Sequence, residues 1–241
     1  MKGVIAMNRT KSKFTGCILG LGLLLAGGQS AHAVQAVWDN PFTPSEWARG
    51  TMSGSLYSEW NFFNDDIAGG NIQDTSPELA NFGGGTYNLA ELTGAAFLTS
   101  GGNIYSPVAP TAFDFTVGNV AGGTRDVYLR LASVGNFDTT LNRSFTNFEL
   151  NGISGTYTQL FNAAAGPGQG NEVEGLVSWL GVPGASSYML KWNAIGSSVS
   201  LDQLSLDVGP VAPVPLPAAA YFMATGLVGL WTMARRKKHT A

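Results

Sequence analysis

The chain has 241 residues, 44% of them hydrophobic, with 32 glycines, one cysteine, two histidines and a formal net charge of −3. Cys17, His32 and His239 all lie toward the termini, so residues 34–208 contain neither residue type. That stretch therefore cannot form disulfides, thiolate nucleophiles, Ser-His-Asp triads or His/Cys zinc sites. Eight of the 13 basic residues also lie outside it, leaving five against sixteen carboxylates, net −11, a field that disfavours nucleic acid and favours solubility and divalent cations.

In chain order, Lys2, Arg9, Lys11 and Lys13 form a basic leader, Cys17 to Ala26 an apolar run, and Ala31-His32-Ala33 a small-x-small cleavage signal. Together they predict a secretory signal peptide over residues 1–33, handled by the Sec translocon and signal peptidase, with Val34 as the first mature residue. Cys17 precedes the apolar run instead of ending it, which argues against lipidation.

Residues 34–208 then suffice for one domain with its own core. Trp38, Trp47 and Trp60 lie near its start. Exposed on a sheet, such rings stack on sugars; equally, large aromatics fill cores and edges. The segment from Phe62 to Gly85 lacks periodicity and holds Asn64, Asp65, Asp66 and Asp74. These hard oxygen ligands suit calcium, although they show no EF-hand spacing, and the same residues are ordinary turn formers.

Three segments alternate with period two: Phe113, Phe115 and Val117; Val127, Leu129 and Leu131; Tyr188, Leu190 and Trp192. Each predicts a strand with one face inward. Trp179 and Trp192, in phase with such strands, are expected in the core. The stretch from Ala163 to Glu174, with Gly166-Pro167-Gly168-Gln169-Gly170, is expected to be irregular. In the last segment Val199 and Leu201 keep one phase and Leu204, Leu206 and Val208 the other, so a β-bulge is expected at Asp202-Gln203. With glycine abundant and helix signatures absent, the fold class is all-β, an antiparallel β-sandwich. The ending Leu201-Asp202-Gln203-Leu204-Ser205-Leu206 resembles the last strand of jelly-roll domains, including some carbohydrate-binding modules. That likeness favours a jelly roll over an immunoglobulin-like sandwich. Carboxylates such as Glu46, Glu59, Glu149, Glu172 and Glu174 could serve glycoside hydrolysis, but the sequence selects no pair, so no enzyme is expected.

Residues 209–217 form a spacer with prolines at 210, 213, 215 and 217, read as a stiff, polyproline-like leash. It ends in Val214-Pro215-Leu216-Pro217, followed by 17 uncharged residues, 218–234, and the cluster Arg235-Arg236-Lys237-Lys238 within the tail 235–241. As a helix the uncharged stretch reaches about 26 Å, close to the roughly 30 Å of a hydrocarbon core. The basic cluster places that end in the cytoplasm and the domain outside. The stretch after Leu216-Pro217 lacks the Thr-Gly pair of a Gram-positive LPxTG signal; an ordinary C-terminal anchor with a Pro-rich stalk is the plainer alternative.

Pro-Leu-Pro, an apolar helix and a terminal basic cluster together resemble the PEP-CTERM sorting signal in its VPLPA form. Leu216 stands where the commoner form has glutamate. The resemblance covers about residues 213–238 and implies an exosortase, a membrane-embedded cysteine transpeptidase cutting near the proline motif. It implies also a Gram-negative host that secretes exopolysaccharide, in whose cargo jelly-roll domains are common. The expectation is an exported cell-surface or extracellular-matrix protein, biofilm-associated, with a structural or adhesive role and a membrane-anchored precursor. The alternative is a carbohydrate-binding module, calcium-stabilised if the acidic loop is a site, with extracellular polysaccharide as partner.

Overall fold

The computed structural model describes residue 47 and residues 52–64, 67–68 and 71–211. Ala31, Ala33, Trp38, Asp65, Asp66, Val214 to Pro217 and Arg235 to Lys238 lie outside the described residues. So do both segments read as the signal peptide and the membrane helix. Among the described residues no helix is long and apolar enough to cross a membrane.

The described chain is all-β. Its strands are β1 (Leu56–Trp60), β2 (Ile67–Ala68), β3 (Asn71–Asp74), β4 (Ala80–Phe82), β5 (Thr86–Glu91), β6 (Phe97–Leu98), β7 (Ile104–Ser106) and β8 (Ala112–Gly118). Then follow β9 (Arg125–Gly135), β10 (Phe145–Leu150), β11 (Ile153–Ser154), β12 (Thr156–Gly166), β13 (Gly170–Val182), β14 (Ser187–Ala194) and β15 (Val199–Pro210). One sheet runs β12-β13-β9-β15-β1-β4, with β7 also on β15 and β6 on β7; the other runs β11-β10-β14-β8-β5-β3-β2. Neighbouring strands in both sheets are antiparallel.

Period-two patterning explains the core. Phe113, Phe115 and Val117 of β8, Val127, Leu129 and Leu131 of β9, and Tyr188, Leu190 and Trp192 of β14 are all buried, with the residues between them turned outward. The two sheets meet over these faces in one cluster. Trp60 of β1 crosses between the layers, edge-on to Tyr87 and to Phe115, each 5.3 Å away between centroids. On the other sheet Phe113 stacks on Trp192 at 5.2 Å, a favoured offset arrangement. Trp179 and Trp192 are interior, as their strand phase predicts.

The final strand follows its sequence pattern. The register of β15 against β9 shifts between Leu201 and Gln203, so Asp202 is the inserted residue of a bulge. Val199, Leu201, Leu204, Leu206 and Val208 consequently all reach the core. Along its opposite flank, β15 pairs first with β7 through Val199 to Leu201 and then with β1 through Leu204 to Val208. The bulge sits at the junction of those two partners.

Two expectations are corrected. The Ala163 to Glu174 stretch is not irregular: it closes the β12–β13 hairpin, with regular pairing resuming on both sides of the Gly166–Gly170 turn. The spacer begins later than residue 209, because Gly209 and Pro210 still pair with Asp126 and Arg125 of β9.

Candidate functional site

Trp60 is fully buried and its indole N–H donates to Asp74 Oδ1 at 3.0 Å. Trp47 is 1% exposed, donates from Nε1 to the Pro210 carbonyl at 3.1 Å and packs tilted against Tyr128. Neither ring presents a face to solvent, so the reading of Trp47 and Trp60 as sugar-stacking platforms is corrected: they are packing residues. Large aromatics near a domain's first strand bury more apolar area inside than any exposed position allows.

Asp74 is equally interior. Its carboxylate accepts from the Trp60 indole, from the Asn64 backbone N–H at 3.2 Å and from the Ser76 N–H at 3.0 Å. The acid thus pins the loop after β1 onto the end of β3. Asn64 itself is exposed, and it meets Asp74 through its backbone. No group of three His, Cys, Asp or Glu side chains gathers around a common point among the described residues. Glu91 plays a similar pinning part after β5, accepting from the N–H groups of Thr93 and Gly94, and Arg125 donates to the carbonyls of Gly54, Ala121 and Gly122.

A different place has the shape of a site. Between the β6–β7 hairpin and the β12–β13 turn lies an open cleft of about 400 Å³, within the size range of small-ligand sites. Thr99, Asn103 and Tyr105 form one wall, Gln169 stands opposite, and Asn136 and Ser200 lie on the floor. The wall is held by its own turn: Thr99 N–H donates to Asn103 O at 3.0 Å, Gly102 N–H to Thr99 O at 3.0 Å, and Asn103 N–H to Thr99 Oγ1 at 3.1 Å. On the floor Asn136 is fixed by its N–H to Ser198 O at 2.9 Å and its Nδ2 to Ser197 O at 2.7 Å.

Glycine makes the floor possible. Gly135 has φ +133°, and a Cβ there would lie 1.9 Å from Ser198 O; a Cβ on Gly170 would lie 2.1 Å from Gly135 O. Three backbones converge where no side chain fits. The lining carries no charged residue, in a domain that is strongly acidic overall. Asn103 Oδ1 is buried and has no hydrogen-bond partner among the described residues. Phe97, 49% exposed, meets Tyr105 edge-on at 5.6 Å and continues this wall as an aromatic rim.

Behind the floor stands Asp202, 4% exposed at the bulge. Burial pushes its carboxyl up to about 7, the Ser200 hydroxyl pulls it back, and the charge of Glu172 adds to the rise. Ser200 Oγ bonds both Val134 O, at 3.2 Å, and Asp202 Oδ1. The Ser200 hydroxyl has one proton to offer these two acceptors, and the three groups form a chain Asp202–Ser200–Val134 under the cleft. Glu172 is in line with it, since Glu172 pairs with Val134 and Val134 with Ser200 across the sheet.

The sequence located part of this place. The bulge at Asp202 was legible from the phase slip, whereas the stretch around residues 166–170 was read as irregular and is the β12–β13 hairpin turn. Nothing in the pattern singled out Asn103, Tyr105, Asn136 or Ser200, because their meeting depends on two hairpins distant in sequence. Comparison with known proteins gives no match to any family model, curated protein or solved structure.

Proposed function

We propose that this chain is an exported, non-enzymatic β-sandwich of jelly-roll type, delivered to the cell surface or extracellular matrix and acting there structurally or adhesively. The carrying observation is the tripartite tail: Val214-Pro215-Leu216-Pro217, the uncharged stretch 218–234 and Arg235 to Lys238. On this reading a membrane-embedded sorting protease of exosortase type reads the proline motif, the apolar helix retains the precursor and the basic cluster orients it. The fold suits a tether at that end. The spacer leaves directly from β15, which is paired along both flanks, with β9 over the length of the strand and with β7 and β1 on the other side.

The test is subcellular fractionation of the producing cell with two versions of the gene. A stop codon after Val211 should send the domain into the medium as a folded protein with no envelope-bound precursor. Replacing Arg235 to Lys238 by alanine should leave precursor misrouted or degraded. Equal distribution of all three proteins would overturn the reading.

A second reading, glycan binding, is supported by the cleft. Amide and hydroxyl groups without charge suit a neutral polyhydroxylated ligand, whose hydroxyls both donate and accept, and Tyr105 with Phe97 offers ring surface to sugar C–H groups. Retention of the full-length protein on extracellular polysaccharide, lost with Asn103→Ala and with Tyr105→Ala, is the expected result; retention unchanged by both variants would remove the cleft from consideration.

A further inference from the structure

Beyond that reading, we propose that β12 is a pairing edge through which two copies of this chain associate, antiparallel and two-fold symmetric. A sheet edge presents unpaired N–H and C=O groups, and stable proteins blunt such edges by shortness, charge, proline, bulges or cover. Among the described residues five strands end the sheets, and four of them are short: β4 has three residues, and β2, β6 and β11 have two each. The fifth is β12, with eleven residues, largely exposed and, among the described residues, paired only on its β13 side.

Its chemistry leaves it open. From Leu150 to Asn171 the sequence has no charged residue at all, and no proline falls inside β12. In a stretch that carries net −11 over residues 34–208, this edge brings no carboxylate of its own to a second copy. Two bulges, at Leu160 and Ala165, divide the ladder to β13 into two uninterrupted runs of four, Thr156 to Gln159 and Phe161 to Ala164; the first is taken as the pairing segment, and it is short. Apolar surface adjoins that run. Ile153, Leu180 and, further along the strand, Phe161 are 41%, 65% and 43% exposed, and the first two line a notch of about 340 Å³ beside Thr156. An antiparallel copy is the self-complementary occupant, since each strand's unpaired groups meet the same groups of its mate, and the apolar side chains at the strand's end are covered as the ladder forms. The pairing segment is short enough that association is weak in dilute solution and strengthens where chains are crowded on one surface, as effective concentration rises.

Sedimentation of the full-length chain in detergent over a concentration series reads this directly. The expected result is a reversible monomer–dimer equilibrium that Thr156→Lys/Thr158→Lys weakens by about tenfold or more, because like charges then face each other across the pair. An equimolar mixture of that variant with Thr156→Glu/Thr158→Glu should restore association, while each alone keeps wild-type circular dichroism. A monomer at every concentration, a dimer indifferent to the lysines, as an association of apolar tails would be, or a mixture that fails to recover each overturns the proposal.

Discussion

Two buried acids show how a single position sets local structure. Asp74 is held by three donors and holds in return the loop between β1 and β3, with Trp60 bridging it to the core. Trp60→Phe keeps most of the ring packing and removes only the donor to a buried carboxylate, so it should cost about 1–3 kcal/mol. Trp60→Ala also opens a cavity between the sheets and should cost about 3–5 kcal/mol. Urea denaturation of the two variants separates the terms, and equal losses would contradict the assigned role of the indole N–H. Asp202 behaves oppositely. Its folded-state carboxyl is raised to about 7 from 3.8, so the folded protein binds that proton more tightly than the unfolded chain does. The stabilisation is complete below the unfolded value and is lost as pH rises toward 7, by up to about 4 kcal/mol over that window. Asp202→Asn should therefore unfold at a higher temperature than wild type at pH 8 and nearly the same temperature at pH 4. A variant whose pH profile runs parallel to wild type would show that Asp202 is already ionised in the fold.

At the scale of elements, the bulge in β15 joins two hydrophobic phases that a continuous strand would set on opposite faces. Deleting Asp202 removes the inserted residue and turns either Val199 and Leu201 or the trio Leu204, Leu206 and Val208 outward. The deletion should abolish the cooperative thermal transition seen by circular dichroism, whereas Asp202→Asn should keep it. A deletion mutant that melts as sharply as wild type would show that the phase slip is accommodated elsewhere. This bulge was legible in the sequence for the reason that β8, β9 and β14 were: one face is buried and the other wet, so the pattern is binary. Where that asymmetry fails, so does the reading. All five residues of β1 are buried, and β12 is exposed along most of its length. Neither strand alternates, so neither stands out from its neighbours. The cleft was hidden for a third reason, because Asn103 and Gln169 are turn residues by local chemistry and become site residues only through the pairing of β7 and β13 on either side of β15 and β9.

For the whole molecule, polarity and charge are divided by region. Eight of the 13 basic residues lie at the two ends of the chain and all sixteen carboxylates between them, the division on which the proposed export and sorting rest. The domain closes on its last strand, and Trp47 clasps that strand's end by packing so closely on Gly209 that a Cβ there would lie 2.2 Å from the indole. On the proposed reading, the proline-rich spacer that follows this anchored strand carries the proline motif. The central claim is that this motif is cut. Mass spectrometry of the C-terminus of protein recovered from medium and envelope, for wild type and for Pro215→Ala/Pro217→Ala, tests it most directly. The account predicts a released wild-type form ending near Pro217 and a double variant that stays membrane-bound to Ala241; a wild-type protein that keeps its whole tail in the membrane would contradict it.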